Sequence, residues 1–332
     1  MSDSVSVVII NYNGGEDLMR CLESLRVQEH IQEIIVADNA STDGSLERAR
    51  AAFPEMIALP DTVNRGPARA ANRGAARATG DILIFLDHDV VLRPGCVTQL
   101  VTALSDGDGV VGPVLRSGVT GADEWGVTID VLGHPEFLLT PRPPFFINRP
   151  VFATQRAFFE RLGGFDDRFF YTAEELDYCW RAHLAGATVA IVPTAHADHV
   201  GGGSTPGGYV RGSRKETTDF RVKLRERYTL VVLIKCAPAW WMTWLIPAYV
   251  AKTAVVSAVL LAMGRPRLSG DIMAGLWWNV RELPTTLRLR RTTPRTRQGD
   301  LEARRRMYRG LIMLEEVRRY GLPLFVDRKK GN

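Results

Sequence analysis

The sequence predicts an α/β fold, a doubly wound and mostly parallel sheet flanked by helices, followed by a C-terminal helical region. Short apolar runs alternate with helical patterns over residues 5–115, and that rhythm is typical of strands joined by crossover helices. The runs are continuously apolar, as expected for strands that are buried on both faces of a parallel sheet. A stretch near the C-terminus that is both basic and apolar predicts the helical region.

The elements of the first part of the chain follow in order. We predict strands at residues 5–10, 33–38, 56–59 and 81–87, and helices at 16–28, 45–53 and 67–80. The first helix has its apolar residues at the spacing of one face, namely Leu18, Cys21, Leu22 and Leu25. Ligands of such sheets bind beyond the carboxyl ends of the strands, where Asn11, Asp38 and Asp87 lie.

The middle of the chain is less regular. Residues 116–150 are rich in Gly and Pro, which predicts a long loop over the site. Regular structure returns at 151–155, in a helix within 165–186 and in a strand at 188–193. We expect a flexible loop at 196–208.

Composition excludes several classes of protein. The 332 residues are 45% hydrophobic and 24% charged, as in ordinary globular proteins. The four cysteines lie far apart without a CxxC pair, so we expect neither a zinc site nor a disulfide framework. The same observation favours a reducing compartment. The N-terminus has no basic n-region, so no secretory signal is expected.

The charge is distributed unevenly. Residues 1–220 carry 19 Lys/Arg against 29 Asp/Glu, whereas residues 221–332 carry 23 against 8. A basic tail predicts an anionic partner, either nucleic acid or a membrane surface. No nucleic-acid-binding motif is visible in the tail. Its apolar block, 236–264, has no use in a nucleic-acid-binding protein, so we expect an anionic membrane surface and no nucleic acid.

The apolar block leaves the mode of membrane attachment open. Its 29 residues are long enough to span a bilayer, since about 20 suffice, but Pro238, Pro247 and Lys252 interrupt it. Three tryptophans crowd one end, and tryptophan prefers the level of the lipid headgroups. Interfacial or re-entrant attachment is therefore favoured over a transmembrane span and over a soluble helical hairpin. The block is also compatible with a homo-oligomer interface.

Two carboxylates and a histidine follow the most apolar strand. Asp87, His88 and Asp89 come directly after residues 82–86. Aspartate at a strand end is common turn chemistry. The alternative is that the carboxylates hold Mg²⁺ or Mn²⁺ on a substrate phosphate, since hard cations prefer oxygen ligands. That alternative ties the motif to a nucleoside diphosphate.

Other polar residues at this edge also allow two interpretations. Asp38 begins a turn rich in helix caps, and it is also placed to accept a hydrogen bond from a base or ribose hydroxyl. Arg69, Arg73 and Arg77 form a basic stripe, which is either solvated or contacts a diphosphate through Arg69.

Five blocks, in this order, carry a family resemblance: VSVVIINYNGGEDLMRCLESL, IIVADNASTDGS, NRGPARAANRGAARATGDILIFLDHDV, GGFDDRFFYTAEELDYCWRAHLAG and HVGGGST. The chain resembles the inverting family 2 glycosyltransferases, and among them the bacterial rhamnosyltransferase-like branch, over about residues 4–206. The tail from 221 to 310 is similar to the membrane-associated tails of that branch.

The resemblance implies a fold of the GT-A type, in which a DxD motif holds Mn²⁺ or Mg²⁺ on the diphosphate of a nucleotide-sugar. It implies a glycosyltransferase domain at 1–220, with a nucleotide-binding half at about 1–115 and an acceptor half at about 116–220, and a membrane-associating tail at 221–332. The donor side would be formed by Asn11, Tyr12, Asp38, Asn64, Gly66, Arg69, Asn72 and Asp87. Asp89 and His199 would bind the metal, and the GGGST loop at 201–205 would close over the donor.

The catalytic base is where the sequence departs from the family pattern. The family usually has Glu-Asp at the head of this helix and an Asp two residues on. Here Glu174 matches the Glu, Glu175 replaces the first Asp, and Asp177 is the second. A carboxylate is retained, so general-base chemistry is possible for either glutamate. Asp177 would orient an acceptor hydroxyl or a neighbouring arginine.

The predicted function is transfer of a sugar, for example rhamnose, from a UDP- or dTDP-linked donor to a lipid-linked or polysaccharide acceptor. The predicted place is the cytoplasmic face of the inner membrane. A nucleotidyltransferase is an alternative, but NYNGGEDL lacks an adjacent lysine for a triphosphate loop. A catalytically inactive sugar-nucleotide-binding scaffold is a third possibility, favoured by Glu175 and by the histidine inside the DxD motif.

Overall fold

A computed structural model describes residues 4–105, 107–148, 150–201, 208, 210–211 and 213–326. Strands and helices alternate along the first part of the chain, and every predicted element there is present. They are β1 (Val5–Asn11), α1 (Gly15–Leu25), β2 (Ile31–Asp38), α2 (Ser45–Ala52), β3 (Ile57–Leu59), α3 (Pro67–Arg77), β4 (Ile82–Asp87), β5 (Val90–Leu92), α4 (Cys96–Ala103) and β6 (Gly109–Ser117).

The central part adds six strands of the main and smaller sheets and two helices before the tail begins. They are β7 (Asp123–Glu124), β8 (Val127–Ile129), β9 (Pro135–Phe137), β10 (Val151–Gln155), α5 (Arg156–Arg161), α6 (Glu174–Ala185), β11 (Thr188–His199) and β12 (Val210–Arg211). The C-terminal part comprises β13 (Arg214–Thr217), α7 (Asp219–Cys236), α8 (Met242–Ala262), α9 (Pro266–Thr292), α10 (Arg297–Arg306), α11 (Ile312–Tyr320) and β14 (Leu324–Phe325), with a 3₁₀ turn at Ala239–Trp241.

The main sheet has the strand order β3-β2-β1-β4-β10-β6-β11-β5, with β7 paired to β6. The pairs β3–β2, β2–β1, β1–β4 and β6–β11 are parallel, whereas β10 runs antiparallel to both of its neighbours and β5 runs antiparallel to β11. The predicted α/β fold is confirmed. The sheet is mixed because β10 enters its centre in the reverse direction.

The two faces of the sheet pack into two separate cores. Val8 and Ile10 of β1 point into one core, and Val7 and Ile9 point into the other. All seven residues of β1 are buried. This double burial explains the unbroken apolar runs, since neither face of the strand meets water.

The segment 116–150 differs from the predicted loop. It contains β7 and the β8–β9 hairpin, and it is held by the end of the chain. Thr128 donates to the Arg306 carbonyl oxygen at 3.0 Å, and Ile312 N donates to Asp130 at 2.9 Å. These bonds join residues 178 and 182 positions apart, so no local pattern could have indicated them.

The strand β11 corrects a second expectation. It was predicted to end at 193 and to be followed by a loop from 196, but residues 196–199 continue the strand. They pair with 114–117 of β6, and 197–199 also pair with 90–92 of β5. The pairing brings His199 to the residues that follow β4. Residues 202–207 of the predicted loop, including most of GGGST, lie outside the described residues.

Helix α7 is part of the core. Its residues Leu230–Leu233 belong to the same apolar cluster as Phe85 of β4 and Trp180 of α6. Tyr228 to Cys236 are all buried, and a helix that is apolar all round is typical of a protein interior. The boundary at 220/221 stays a prediction, and α7 packs with the elements that precede it.

Candidate active site

The ends of β1 and β2 carry a cluster of hydrogen-bonded polar side chains. Asn11 is fully buried and its Nδ2 donates to the Asp38 carboxylate at 2.7 Å. Asp38 also accepts from the backbone N and the hydroxyl of Ser41, at 3.0 and 2.6 Å. Because a carboxylate only accepts hydrogen bonds, these contacts fix the orientation of the Asn11 amide. Its Oδ1 is buried and accepts no hydrogen bond within the described residues.

The Asp87-His88-Asp89 motif lies one strand away. Ile10 of β1 is opposite Asp87 of β4, as Asn11 is opposite Asp38 of β2. Neighbouring strands are about 4.8 Å apart, so the backbones of Asp38 and Asp87, on either side of β1, lie about 10 Å from each other. The His88 imidazole Nδ1 lies 3.3 Å from the Ile10 carbonyl oxygen. A Cβ on Gly14 would lie 2.4 Å from Asn11 Oδ1 and 3.0 Å from the His88 ring, so this turn requires glycine.

Asp89 and His199 are in direct contact. The Asp89 Oδ2 lies 3.4 Å from His199 Nε2, and both side chains are about 15% exposed. Burial opposes ionisation of Asp89, but the contact with His199 and its charge lower the pKa of Asp89 to about 2. Burial likewise opposes protonation of His199, and the Asp89 carboxylate outweighs it and raises the pKa of His199. The pair was predicted as a metal site, and the structure places its two side chains together.

The donor set of this pair fits a divalent cation. A carboxylate oxygen and an imidazole nitrogen are both ligands of Mn²⁺, and adjacent ligands of a small octahedral cation lie about 3 Å apart. Among the described residues no group of three His, Cys, Asp or Glu is arranged around a metal position. A site with two protein ligands is sufficient where substrate phosphates and water complete the coordination.

Glu124 is a residue that the sequence reasoning missed. It lies on β7 with 5% of its surface exposed. Burial raises the pKa of Glu124, although the nearby His199 charge and a hydrogen bond from Asn148 act in the opposite direction. The irregular sequence around Glu124 has no periodicity or motif that could have placed it beside His199.

Three of the other residues predicted to bind the donor, Asn64, Gly66 and Asn72, take part in turns and packing within the protein. Asn64 Oδ1 accepts from Gly66 N at 3.0 Å, which forms the turn before α3. A Cβ on Gly66 would lie 2.3 Å from the Phe170 carbonyl oxygen, so the chain before α6 packs directly on this turn. Asn72 binds the backbone of Phe165 and the Asp167 carboxylate, and its amide is used for that packing. Tyr12 is half-buried and Arg69 is exposed.

The predicted base residues begin α6. Glu174 and Glu175 are buried, with 1% and 9% of their surfaces exposed. The two preceding residues, Thr172 and Ala173, have φ angles of 69° and 70°. Left-handed backbone at two consecutive non-glycine residues costs free energy and is concentrated at functional sites. The strained turn sets the direction in which both glutamates leave the chain.

Asp177 is enclosed by basic side chains. It is fully buried, its carboxylate lies 2.8 Å from Lys235 Nζ and it accepts from Arg181 Nε at 2.8 Å. Lys235 also contacts Asp166 at 3.1 Å. Although burial opposes ionisation of Asp166, the hydrogen bond from Arg168 and the Lys235 charge hold its pKa below the ordinary range. Of the two roles considered for Asp177, this geometry favours orienting an arginine.

Comparisons with known proteins agree on one family. The model of Glycosyl transferase family 2 matches residues 6–163. The chain is 28% identical over 259 residues to the N-acetylglucosaminyl-diphospho-decaprenol L-rhamnosyltransferase of Mycobacterium tuberculosis, covering 66% of this chain and 84% of that one. The residues matched by the family model, 6–163, contain Asn11, Asp38 and the DxD motif.

Two solved structures share the fold. GalNAc-T7 with UDP, GalNAc and Mn²⁺ has a TM-score of 0.55 at 20% identity, over 70% of this chain and 50% of that one. The mannosyltransferase PcManGT from Pyrobaculum calidifontis, in complex with GDP-Man and Mn²⁺, has a TM-score of 0.52 at 20% identity, over 84% and 88%. With these matches residues 6–163 are identified as a family 2 glycosyltransferase domain with the GT-A fold, and the chain is similar to the rhamnosyltransferase-like branch of that family.

Proposed function

We propose that this glycosyltransferase is metal-dependent and inverting, and that it moves a sugar such as rhamnose from a UDP- or dTDP-linked donor to a lipid-linked or polysaccharide acceptor. The observation that carries the proposal is the Asp89–His199 pair, which lies at the same sheet edge as the hydrogen-bonded Asn11 and Asp38. A pair of cation ligands beside a cluster of polar side chains suits a ligand with a diphosphate and a nucleoside.

The donor would bind along this edge. Asn11 Oδ1 has no hydrogen-bond partner among the described residues and would accept from an N–H or hydroxyl of the nucleoside, and Asp38 fixes the Asn11 amide. Asp87 would contact the ribose or the sugar, and exposed Arg69 is available to the diphosphate. A divalent cation held by Asp89 and His199 would supply positive charge that stabilises the diphosphate as it leaves.

The chain's own carboxylates would carry the proton transfer. Glu175 or Glu174 takes the proton from the acceptor hydroxyl as that oxygen attacks the anomeric carbon. The bond between this carbon and the phosphate oxygen breaks, and its electron pair leaves with the nucleoside diphosphate. A single displacement inverts the anomeric configuration. Burial of both glutamates keeps bulk water away from this reaction.

The proposed acceptor and location are supported by one relative and by one apolar helix. The M. tuberculosis relative is named for a decaprenyl-diphosphate-linked acceptor. In this chain, Ala239–Ala262 is long and apolar enough to cross a membrane, and 28% of its most apolar window is buried. We therefore propose a lipid-linked acceptor and attachment at the cytoplasmic face of the cell membrane.

A donor screen tests the proposed function. Purified full-length protein is incubated with UDP- and dTDP-sugars, Mn²⁺ and a total lipid extract, and release of the nucleoside diphosphate is measured. We expect release with one donor, lost on chelation of Mn²⁺ and in Asp89→Ala. Loss of the general base, in Glu175→Gln or Glu174→Gln, should lower the rate by about 10²–10⁴-fold.

Glu55→Gln is the matched control because Glu55 is an exposed glutamate in the turn before β3, and this variant should keep the full rate. Donor binding without turnover under all conditions would contradict the proposal and favour a scaffold. An unchanged rate in both α6 variants would exclude these glutamates as the base.

A further inference from the structure

A basic cavity lies beside the tryptophans that precede α8. Its volume is about 570 Å³, and it is lined by Trp240, Arg295, Arg297, Asp300 and Arg304. The Arg304 guanidinium lies over the rings of Trp240 and Trp241, at 5.7 and 5.9 Å from their centroids. This cavity is formed by the C-terminal part of the chain and shares no residue with the candidate active site.

The arginines of the cavity have different roles. Arg295 is committed to the protein, because it donates to the carbonyl oxygens of Cys236 and Ala237 and lies 3.4 Å from Asp300. Arg297 and Arg304 are exposed, and neither forms an ion pair with a carboxylate in the part of the chain that the structure describes. The cavity therefore offers two guanidinium groups to an anion, and guanidinium is suited to phosphate.

The cavity opens at the edge of an exposed apolar surface. Trp240 is 61% exposed, and the exposed residues that follow on α8 include Trp244, Val250, Val255 and Leu261. Four polar residues of α8 are turned away from this surface, namely Tyr249, Lys252, Thr253 and Ser257. Tyr249 donates to the Glu226 carbonyl oxygen at 2.9 Å, and Lys252 pairs with the Glu226 carboxylate.

This reversed polarity is the arrangement expected where the surrounding medium is lipid. We propose that the cavity binds the phosphate headgroup of an anionic phospholipid, of the phosphatidylglycerol type, while the outer face of α8 lies among the acyl chains. Tryptophan at the level of the headgroups and arginine on their phosphates are the side chains preferred at that depth. The inference deepens the proposed function and rests on its membrane attachment.

The lipid site is joined to the helix that carries the base. Thr296 N donates to the Leu184 carbonyl oxygen at 2.7 Å, and a Cβ on Gly299 would lie 2.2 Å from the His183 carbonyl oxygen. The start of α10 thus packs against the end of α6. Glu174 lies ten residues before Leu184, about 15 Å along the helix axis. A bound lipid would therefore fix the active site at a set height above the membrane.

Binding to vesicles tests the proposal. Full-length Arg297→Gln/Arg304→Gln is compared with Arg318→Gln/Arg319→Gln, which removes two exposed arginines from α11 and gives the same net charge. Co-sedimentation is measured with phosphatidylcholine vesicles, with and without phosphatidylglycerol. We expect the cavity variant to lose about tenfold or more of its affinity for the anionic vesicles, because each arginine near the membrane surface adds to the binding free energy. The α11 variant should lose clearly less affinity.

Equal losses in the two variants would show diffuse attraction to charge and would overturn the proposal. A second measurement separates lipid from free phosphate. Dihexanoyl-phosphatidylglycerol is titrated calorimetrically against dihexanoyl-phosphatidylcholine and inorganic phosphate, and we expect only the first to bind in a manner that Arg297→Gln/Arg304→Gln abolishes. Inorganic phosphate binding as tightly as the lipid would also overturn the proposal.

The two proposals fail in different ways. If no donor releases its nucleoside diphosphate, the proposed function is contradicted. This measurement requires no vesicles. Retained release without any preference for phosphatidylglycerol would contradict only the lipid site.

Discussion

His183 is buried inside α6, with 1% of its surface exposed. Its Nε2 lies 2.8 Å from the Phe145 carbonyl oxygen and donates to it, while Nδ1 has no hydrogen-bond partner among the described residues. Burial lowers the pKa of His183 to about 4, although the bond to Phe145 acts in the opposite direction. The native protein therefore holds a neutral imidazole where an unfolded chain would bind a proton below about pH 6.5.

We predict that this difference weakens the fold in mild acid. Between pH 6.5 and 4 the unfolded state binds more protons than the native state, so the free energy of unfolding falls as the pH falls. The His183 contribution should decrease by about 2 kcal/mol between pH 7 and pH 5. Chemical denaturation of the protein and of His183→Gln at both pH values measures it.

Between pH 7 and pH 5, the unfolding free energy of His183→Gln should fall by about 2 kcal/mol less than that of the parent protein. Identical losses in the two proteins would mean that His183 has the same pKa in the native and the unfolded state, in disagreement with its burial.

At the same scale, the sequence could predict residues at strand ends but not residues brought in by distant pairing. Asn11, Asp38 and Asp87 end apolar runs, and the direction of parallel strands places them at one edge. Glu124 reaches His199 only because β7 and β11 both pair with β6. Nothing in the residues next to Glu124 encodes that pairing.

Among the elements, α6 and α7 are joined by charge as well as by apolar packing. Lys235 of α7 lies between Asp177 of α6 and Asp166 of the preceding loop, at 2.8 and 3.1 Å. Removing one partner from a buried ion cluster leaves an uncompensated charge in a medium of low dielectric constant. Lys235 therefore holds the head of α6, where Glu174 and Glu175 lie, against α7.

We predict that Lys235→Met lowers the free energy of unfolding by about 3 kcal/mol. This value is at the lower end of the range for breaking a buried ion pair, because Arg168 and Arg181 still pair with Asp166 and Asp177. Urea unfolding followed by circular dichroism measures it.

Lys223→Met on the same helix is the matched control. Lys223 pairs with Asp271 at 3.3 Å, but both side chains are more than a third exposed, and such pairs contribute about 0–1 kcal/mol. Equal effects of the two substitutions would show that the cluster around Asp177 adds no stability beyond a surface pair.

Element types were predictable where a single pattern dominated. The helix α1 buries the very face that its spacing indicates. The first half of the helix α7 contains RVKLRER and is rich in charge, as expected for the basic tail. Its second half is buried and mostly apolar apart from Thr229 and Lys235, and only the packing of Val231 and Leu233 in the same cluster as Phe85 reveals a core helix.

On the scale of the whole molecule, the outer surface of α8 and α9 is apolar over much of its length. Val255 and Leu261 of α8 and Trp277 and Val280 of α9 are all more than half exposed. Contiguous apolar surface of this kind marks an interaction site. Helix length and composition alone allow a span, an interfacial position or an oligomer, so the sequence could not choose among them.

We predict that Val255→Glu reduces partition of the protein into phosphatidylglycerol-containing vesicles by about tenfold, because a charge on the lipid-facing side opposes burial in the hydrocarbon. Flotation on a density gradient measures the bound fraction. Ala103→Glu places the same charge on an exposed position of α4 and should float like the parent. Undiminished flotation of Val255→Glu would exclude this face from the membrane contact.

The hydrogen bonds between the 127–130 region and the end of the chain have a consequence for biosynthesis. The hydrogen-bond partners of Thr128 and Asp130 are translated 178 and 182 residues later. Domains fold progressively as the nascent chain leaves the ribosome, so the sheet with Asn11 and Asp89 can assemble well before these bonds exist. The segment next to Glu124 gains these bonds only after residue 312 has been translated, when the residues of α8 have already been made.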